Sequence, residues 1–185
     1  MARIKSAWEI ALEKTQDIVV DEAKLRTDGL LKEGMALAGG YLNNMDQVLD
    51  VVASKFASYK GEDASLVRQG MVSTILSNIS LPSDDLYQMR FDRTCDLVNV
   101  VSGGDAQAMG LMNQIGDFLK QYIDAKAAFV DRMKAQIQQA MENSPEGVNT
   151  AQYSQIISQN LKKMEGQYSD ALENTKAALR EILGA

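Results

Sequence analysis

The chain has 185 residues, a net charge of −6 at neutral pH, and a composition that is 45% hydrophobic but only 6% aromatic. It contains no histidine and one cysteine, so it lacks the commonest ligand of transition metals and cannot form an intramolecular disulfide. Because the basic residues are scattered among acids, the sequence also argues against binding to nucleic acid or to an anionic membrane surface.

The first predicted helix covers residues 4 to about 38, where apolar side chains recur three or four positions apart. Gly29 and Gly34 lie inside it, and each costs about 1 kcal/mol relative to alanine, so we expect a bend or a close helix contact there. Gly39 and Gly40 are predicted to end the helix. The pattern leaves open whether the helix is continuous through the two inner glycines.

Two shorter helices are predicted next, over about 42–59 and 62–79. The apolar face of the first of them is predicted to consist of Met45, Val48, Leu49, Val52 and Phe56. Lys60-Gly61 separates the two helices. The acidic pair Glu62 and Asp63 then places carboxylates at the positive end of the following helix dipole.

The fourth predicted helix runs from about 83 to 102, with Ser83 as its N-cap. It holds the densest mixture of reactive side chains, and the candidate anion or ligand site consists of Arg90, Asp92, Arg93, Cys95 and Asp96. Its two guanidinium groups would form one cationic edge able to hold a carboxylate or a phosphate. The alternative is a small core cysteine beside ordinary ion pairs on the helix surface.

The strongest periodicity predicts two long helices near the C-terminal end of the sequence. The first begins at a cap on Asp105 and runs to about 142, with seam positions Met112, Gly116, Leu119, Ile123, Lys126, Val130, Met133, Ile137 and Ala140. The second begins near 149, with seam positions Ile157, Leu161, Met164, Tyr168, Ala171, Thr175, Ala178 and Ile182. The short connection containing Pro145 predicts that the two helices are antiparallel.

A candidate partner surface combines methionines of these two helices with the single tryptophan. It consists of Trp8, Met112, Met133, Met141 and Met164. Methionine fills irregular gaps in cores and also lines surfaces that accept helical partners, and an isolated tryptophan can anchor an interface. Ordinary burial in the core is the alternative for each of these residues.

The stretch Lys5-Ser-Ala-Trp-Glu-Ile-Ala-Leu-Glu-Lys-Thr15 resembles the start of a family of short, uncharacterised bacterial proteins. The resemblance covers that helix and implies no function.

These patterns predict an all-α fold: an elongated bundle of about six helices that ends in a long antiparallel helical hairpin. We expect one helical domain over 1–185, which the sequence also allows to be divided into 1–102 and 105–185. No catalytic residue, metal site or cofactor is predicted. Glu9 and Glu13 interrupt the apolar run that an export signal needs, so we expect a cytoplasmic protein, although a dedicated export apparatus would need no such signal.

The sequence therefore predicts a non-enzymatic structural or protein-interaction bundle that self-associates or binds a helical partner. Two alternatives come from other functional classes. One is an export-system or filament-type secreted helical protein, or the chaperone of such a protein. The other is a small-ligand or metal-binding bundle centred on the fourth helix.

Overall fold

The computed structural model describes residues 21–143 and 150–184. Within these residues there are six helices and no strand, which confirms the predicted all-α bundle. The helices are α1 (Glu22–Asn43), α2 (Leu49–Ser58), α3 (Gly61–Asn78), α4 (Tyr87–Ser102), α5 (Ala106–Asn143) and α6 (Thr150–Leu183). None of the helices in this part of the chain combines the length and the apolarity needed to cross a membrane.

The backbones of α1 and α3 are in direct contact, because each helix has a glycine at the crossing. A Cβ atom on Gly34 would collide with the backbone of Val67, and one on Gly70 would collide with the backbone of Leu31. The close helix contact expected at Gly34 is therefore confirmed. Nothing lies within 4 Å of the corresponding position at Gly29, which is exposed.

The first helix differs from its prediction at both ends. It begins at Glu22, because Asp21 has an extended backbone and its side chain accepts a hydrogen bond of 3.0 Å from the amide of Lys24. It then continues through the two glycines that were predicted to end it. Burial of Tyr41 and Leu42 outweighs the low helix propensity of those glycines. The preceding part of the predicted helix lies outside the described residues.

The second helix begins at Leu49, not near residue 42 as the pattern predicted. Met45 and Val48 are 47% and 59% exposed, so their predicted place on the core face was wrong. Between the helices, the side chain of Asn44 accepts a hydrogen bond of 3.1 Å from the amide of Asp46 and stabilises a turn.

The fourth helix also starts later than predicted, at Tyr87 rather than near Ser83. The carboxylate of Asp84 accepts a hydrogen bond of 2.9 Å from the amide of Leu86. This contact stabilises a turn in the segment that was predicted to be the first turn of the helix.

The predicted antiparallel hairpin is confirmed in α5 and α6. The rings of Phe118 and Tyr168 are 5.2 Å apart, whereas Lys126, further along α5, contacts Glu165, which comes earlier in α6. The predicted N-cap of α5 is also present, because Asp105 accepts a hydrogen bond of 2.8 Å from the amide of Ala108.

The buried side chains of α6 lie one position away from the predicted seam after Tyr168. The seam placed Ala171, Ala178 and Ile182 on the buried face, but all three are exposed. The residues buried instead are Leu172, Leu179 and Leu183. This half of α6 packs on α3 as well as on α5, so its buried face follows the natural period of about 3.6 residues and not the 3.5-residue repeat of a two-helix seam.

Two parts of the molecule differ in how deeply they are packed. We call 21–122 and 166–184 the body, and the remaining described residues, 123–143 and 150–165, the arm. The hydrophobic core lies in the body, where α1 to α4 pack with the first half of α5 and the second half of α6. At 1.5 Å per residue, the α5 part of the arm is about 30 Å long.

Candidate functional site

Arg93, one of the two guanidinium groups predicted to hold an anion, binds the C-terminal end of α1. Its Nε and Nη2 atoms donate hydrogen bonds of 2.9 and 2.6 Å to the carbonyl of Tyr41, and Nη2 also lies 3.0 Å from the carbonyl of Asn44 and 3.1 Å from that of Gln47. The guanidinium carbon is 3.7 Å from the centre of the Tyr41 ring. Arg93 thus satisfies the Tyr41 carbonyl, which lies in the last turn of α1, and ties that turn to the following loop through Asn44 and Gln47.

Asp96 takes part in the same cluster. Its carboxylate accepts a hydrogen bond of 2.8 Å from the hydroxyl of Tyr41. Burial raises the pKa of Tyr41, and the hydrogen bond to Asp96 raises this pKa further. Tyr41 of α1 therefore contacts two residues of α4, Arg93 at the face of its ring and Asp96 at its hydroxyl. These contacts hold α4 against α1.

Arg90 has a different partner, Asp84, in the loop before α4. The Nη2 atom of Arg90 lies 2.7 and 2.9 Å from the two carboxylate oxygens of Asp84. This hydrogen bond, together with the one from the amide of Leu86, lowers the pKa of Asp84. On the exposed side of the helix, Asp92 accepts a hydrogen bond of 2.8 Å from Gln88. The two guanidinium groups are thus directed to separate intramolecular partners and are not joined in one cationic edge.

Cys95 is half-buried and packs against the core. Burial raises the pKa of its thiol to about 11, and the carboxylates of Asp92 and Asp96 add to the increase. A thiol in this state is a poor nucleophile and a poor metal ligand near neutral pH. In the described part of the chain, no group of three or more cysteine, aspartate or glutamate residues is placed to hold a metal ion.

The five residues of the predicted partner surface do not form one patch among the described residues. Met112 is fully buried in the body, so it is a core residue. Met133 and Met164 are half-buried in the arm, and Met141 is 42% exposed near its end. Trp8 lies outside the described residues.

The arm is where apolar side chains are incompletely covered. From 123 to 142 in α5, and from 153 to 171 in α6, every side chain is half-buried or exposed. The half-buried apolar positions of the arm include Ile123, Val130, Met133, Ile137 and Ala140 on α5, and Ile157, Leu161 and Met164 on α6. Two helices cover each other on one side only, so these stripes remain accessible from the flanks of the arm.

The arm joins the body at a cluster of aromatic and charged side chains. The Tyr122 ring, which is 2% exposed, lies 5.2 Å from the ring of Tyr168. Lys126 donates hydrogen bonds of 3.2 Å to the Tyr122 hydroxyl and 3.1 Å to Glu165. These two contacts raise the pKa of Lys126, so the lysine stays charged and braces the two helices where they leave the core.

Two grooves lie on either side of the 79–86 loop at this junction. One, of about 480 Å³, lies between the loop and α5, and the other, of about 700 Å³, lies between the loop and α6. Their walls mix acids with bases: the first groove has Asp84 and Asp131 beside Lys126 and Lys134. Neither groove therefore has the single sign of charge that would select an anion or a cation.

The end of the arm has an unusual composition. We call residues 135–143 of α5 and 150–161 of α6 the tip. In the whole stretch 135–161, Glu142 and Glu146 are the only charged residues, although 24% of the chain is charged. Met141 and Ile156, both in the tip, are 42% and 41% exposed. Protein interfaces are depleted of charge at their centres, so this surface is suited to burial against another protein.

Sequence reasoning missed the tip because it searched for groups of charged and reactive side chains. The signal in the sequence was the stretch between Lys134 and Lys162, which has no basic residue and only two acidic ones. A search for apolar periodicity does not detect it.

Comparison with known proteins assigns a family without a function. No curated protein and no solved structure matches the chain. A family model matches residues 53–181, which excludes the 5–15 stretch and includes α4, α5 and nearly all of α6. The chain therefore belongs to the family of unknown function DUF6657.

Proposed function

We propose that this protein is a non-enzymatic interaction protein that binds a helical partner through its arm. The single observation that carries the proposal is the contrast in burial along α5. Up to Tyr122 the helix contains fully buried side chains, and from 123 to 142 it contains none. The buried ones are Ala108, Met112, Ile115, Leu119 and Tyr122. The apolar stripe continues beyond the point at which the body stops covering it.

The physical argument concerns the stability of a two-helix arm. Isolated helices are marginal in water, and most helical stability in proteins comes from packing an apolar face. The arm buries one face between its own helices and leaves the flanks of Val130, Ile137 and Leu161 accessible to solvent. A partner helix lying along either flank would bury those edges, with i, i+3, i+4 and i+7 contacts of the usual helix-in-groove kind.

A ligand-binding function centred on α4 has weaker support. Arg93 and Asp96 already bind groups of the protein around Tyr41, and Arg90 already pairs with Asp84. An added anion would have to displace carbonyls or a carboxylate that are held in place. The export-system or filament role stays a prediction of the sequence.

The proposal is tested by photo-crosslinking in the native cells. A benzophenone amino acid is placed at Met141 or Ile156 in the tip, and at Leu25 or Ile182 in the body as controls. All four side chains are substantially exposed, at 42%, 41%, 59% and 39%, so solvent access does not separate the sets. We expect a discrete crosslinked species from the tip positions, at least tenfold stronger than from the body positions.

The mass of that species identifies the partner as another protein or as a second copy. Equal crosslinking from tip and body positions, or none from the tip, would contradict the proposal.

A further inference from the structure

We infer that the partner of the arm is the arm of a second copy of this chain, so that two arms overlap antiparallel and form a four-helix bundle. This inference rests on the proposed function and adds the identity of the partner. Its basis is the distribution of charge along the chain, together with the geometry of a two-helix arm.

The distribution of charge makes the arm the region where two copies can approach. The stretch 123–165 contains five basic and five acidic residues, so the net charge of −6 lies entirely in the rest of the chain. Two copies of an acidic protein repel each other wherever their charged surfaces meet. At the tip they meet a surface that has almost no charge, with Met141 and Ile156 exposed.

The same charge distribution selects the orientation. If the two arms lay parallel, the acidic bodies would be side by side. If they overlap antiparallel, the bodies are at opposite ends, separated by about the 30 Å length of an arm. That distance exceeds the Debye length of about 8 Å at physiological ionic strength, so repulsion between the bodies is screened.

The number of helices in two arms also supports an antiparallel four-helix bundle. An arm provides two antiparallel helices with half-buried stripes, and two such arms related by a twofold axis provide the four helices of a common bundle. The contact is isologous, since each copy presents the same surface. Half-buried Ile137 and Ile157 would then become core residues, as Leu119 already is in the body.

The test is sedimentation velocity on the full chain between about 1 and 100 μM, a range that covers interfaces of modest affinity. Two double variants are compared with the unaltered protein: Met141→Glu with Ile156→Glu in the tip, and Leu25→Glu with Ile182→Glu in the body. All four positions are exposed in the single chain, so both variants should keep their helical circular dichroism. At a concentration where the chain is monomeric, they should also keep its midpoint of unfolding, because dimerisation then adds no stability.

We expect the unaltered chain and the body variant to form an elongated species of twice 20.3 kDa, and the tip variant to dimerise at least tenfold more weakly. Dimerisation should change by less than about threefold between 50 and 500 mM salt, because the arms carry no net charge and the acidic bodies lie further apart than the Debye length.

Two results would overturn the inference: a monomer at 100 μM, or a tip variant that dimerises as well as the body variant. If the chain is monomeric but the tip crosslinks to a different protein in cells, the proposed function survives and the second-copy inference fails. If the tip shows neither dimerisation nor crosslinking above the body positions, both fail.

Discussion

Gly34→Ala is expected to lower the free energy of unfolding by about 3 kcal/mol, at the upper end of the usual cost of overpacking. The new methyl group would collide with the backbone of Val67, which cannot rotate away as a side chain could. The two helices would therefore have to separate, which would disturb the contacts between α1 and α3 along their length. Gly70→Ala should behave in the same way, because its methyl group would meet the backbone of Leu31.

Gly29→Ala in the same helix is the matched control. The space around Gly29 is open and its backbone is helical, so alanine should raise the free energy of unfolding by roughly 0.5–1 kcal/mol. Urea unfolding followed by circular dichroism measures both changes. Similar effects at the two glycines would contradict the assignment of a direct backbone contact at Gly34.

Arg93→Met is expected to lower the free energy of unfolding by about 1.5–3 kcal/mol, the range for hydrogen bonds that involve a charged group. The substitution keeps much of the side-chain volume but removes the donors that serve the carbonyls of Tyr41, Asn44 and Gln47. Arg93→Lys should recover only part of the loss, because an ammonium group lacks the planar fork that serves several acceptors at once.

Arg90→Met provides the comparison within the same helix. Arg90 pairs with Asp84 on the surface, where both side chains are more than two fifths exposed, so the cost should stay below about 1 kcal/mol. Thermal or urea unfolding of the three variants checks the order. A loss at Arg90 as large as that at Arg93 would show that the carbonyl contacts are not what makes Arg93 important.

The periodicity of the sequence was sufficient to predict the bounds of two helices. α3 and α5 start and end within about a residue of prediction, because Lys60-Gly61 before α3 and the Asp105 cap of α5 agree with the apolar spacing. The starts of α2 and α4 were misplaced for a local reason. The side chains of Asn44 and Asp84 accept hydrogen bonds from backbone amides two residues later and so form turns. Such turns can replace the first turn of a helix even where the apolar spacing is helical.

The candidate site on α4 shows why the residue types on a single helix were not enough to predict a ligand site. Arg90 and Arg93 are three residues apart, which places them near each other on the helix surface. Their partners come from other segments, the end of α1 and the loop before α4, and helical spacing carries no information on those contacts. The contact at Gly34 is a second case in which the partner comes from another segment. The sequence indicated a close helix contact there, but only the fold identifies Gly70 as the glycine of the opposing helix.

The sequence predicted the helical hairpin that forms the arm, but not that the apolar faces of the arm are left partly exposed. A seam with steps of three and four residues is the same whether a helix is covered on every side or on one side only. Leu119 and Ile123 are consecutive seam positions, yet Ile123 is half-buried and Leu119 is only 3% exposed. The difference depends on where the body helices end, which is a property of the tertiary structure.

Hydrogen–deuterium exchange tests most directly whether the arm of the single chain is open to a partner. It is measured on the purified protein at a concentration where sedimentation shows a monomer. We expect amides of 135–143 and 153–161 to exchange at least tenfold faster than those of α3, because few buried contacts oppose local opening of the arm. Protection in the arm equal to that in α3 would mean that its apolar stripe is already stably covered, and would contradict the account.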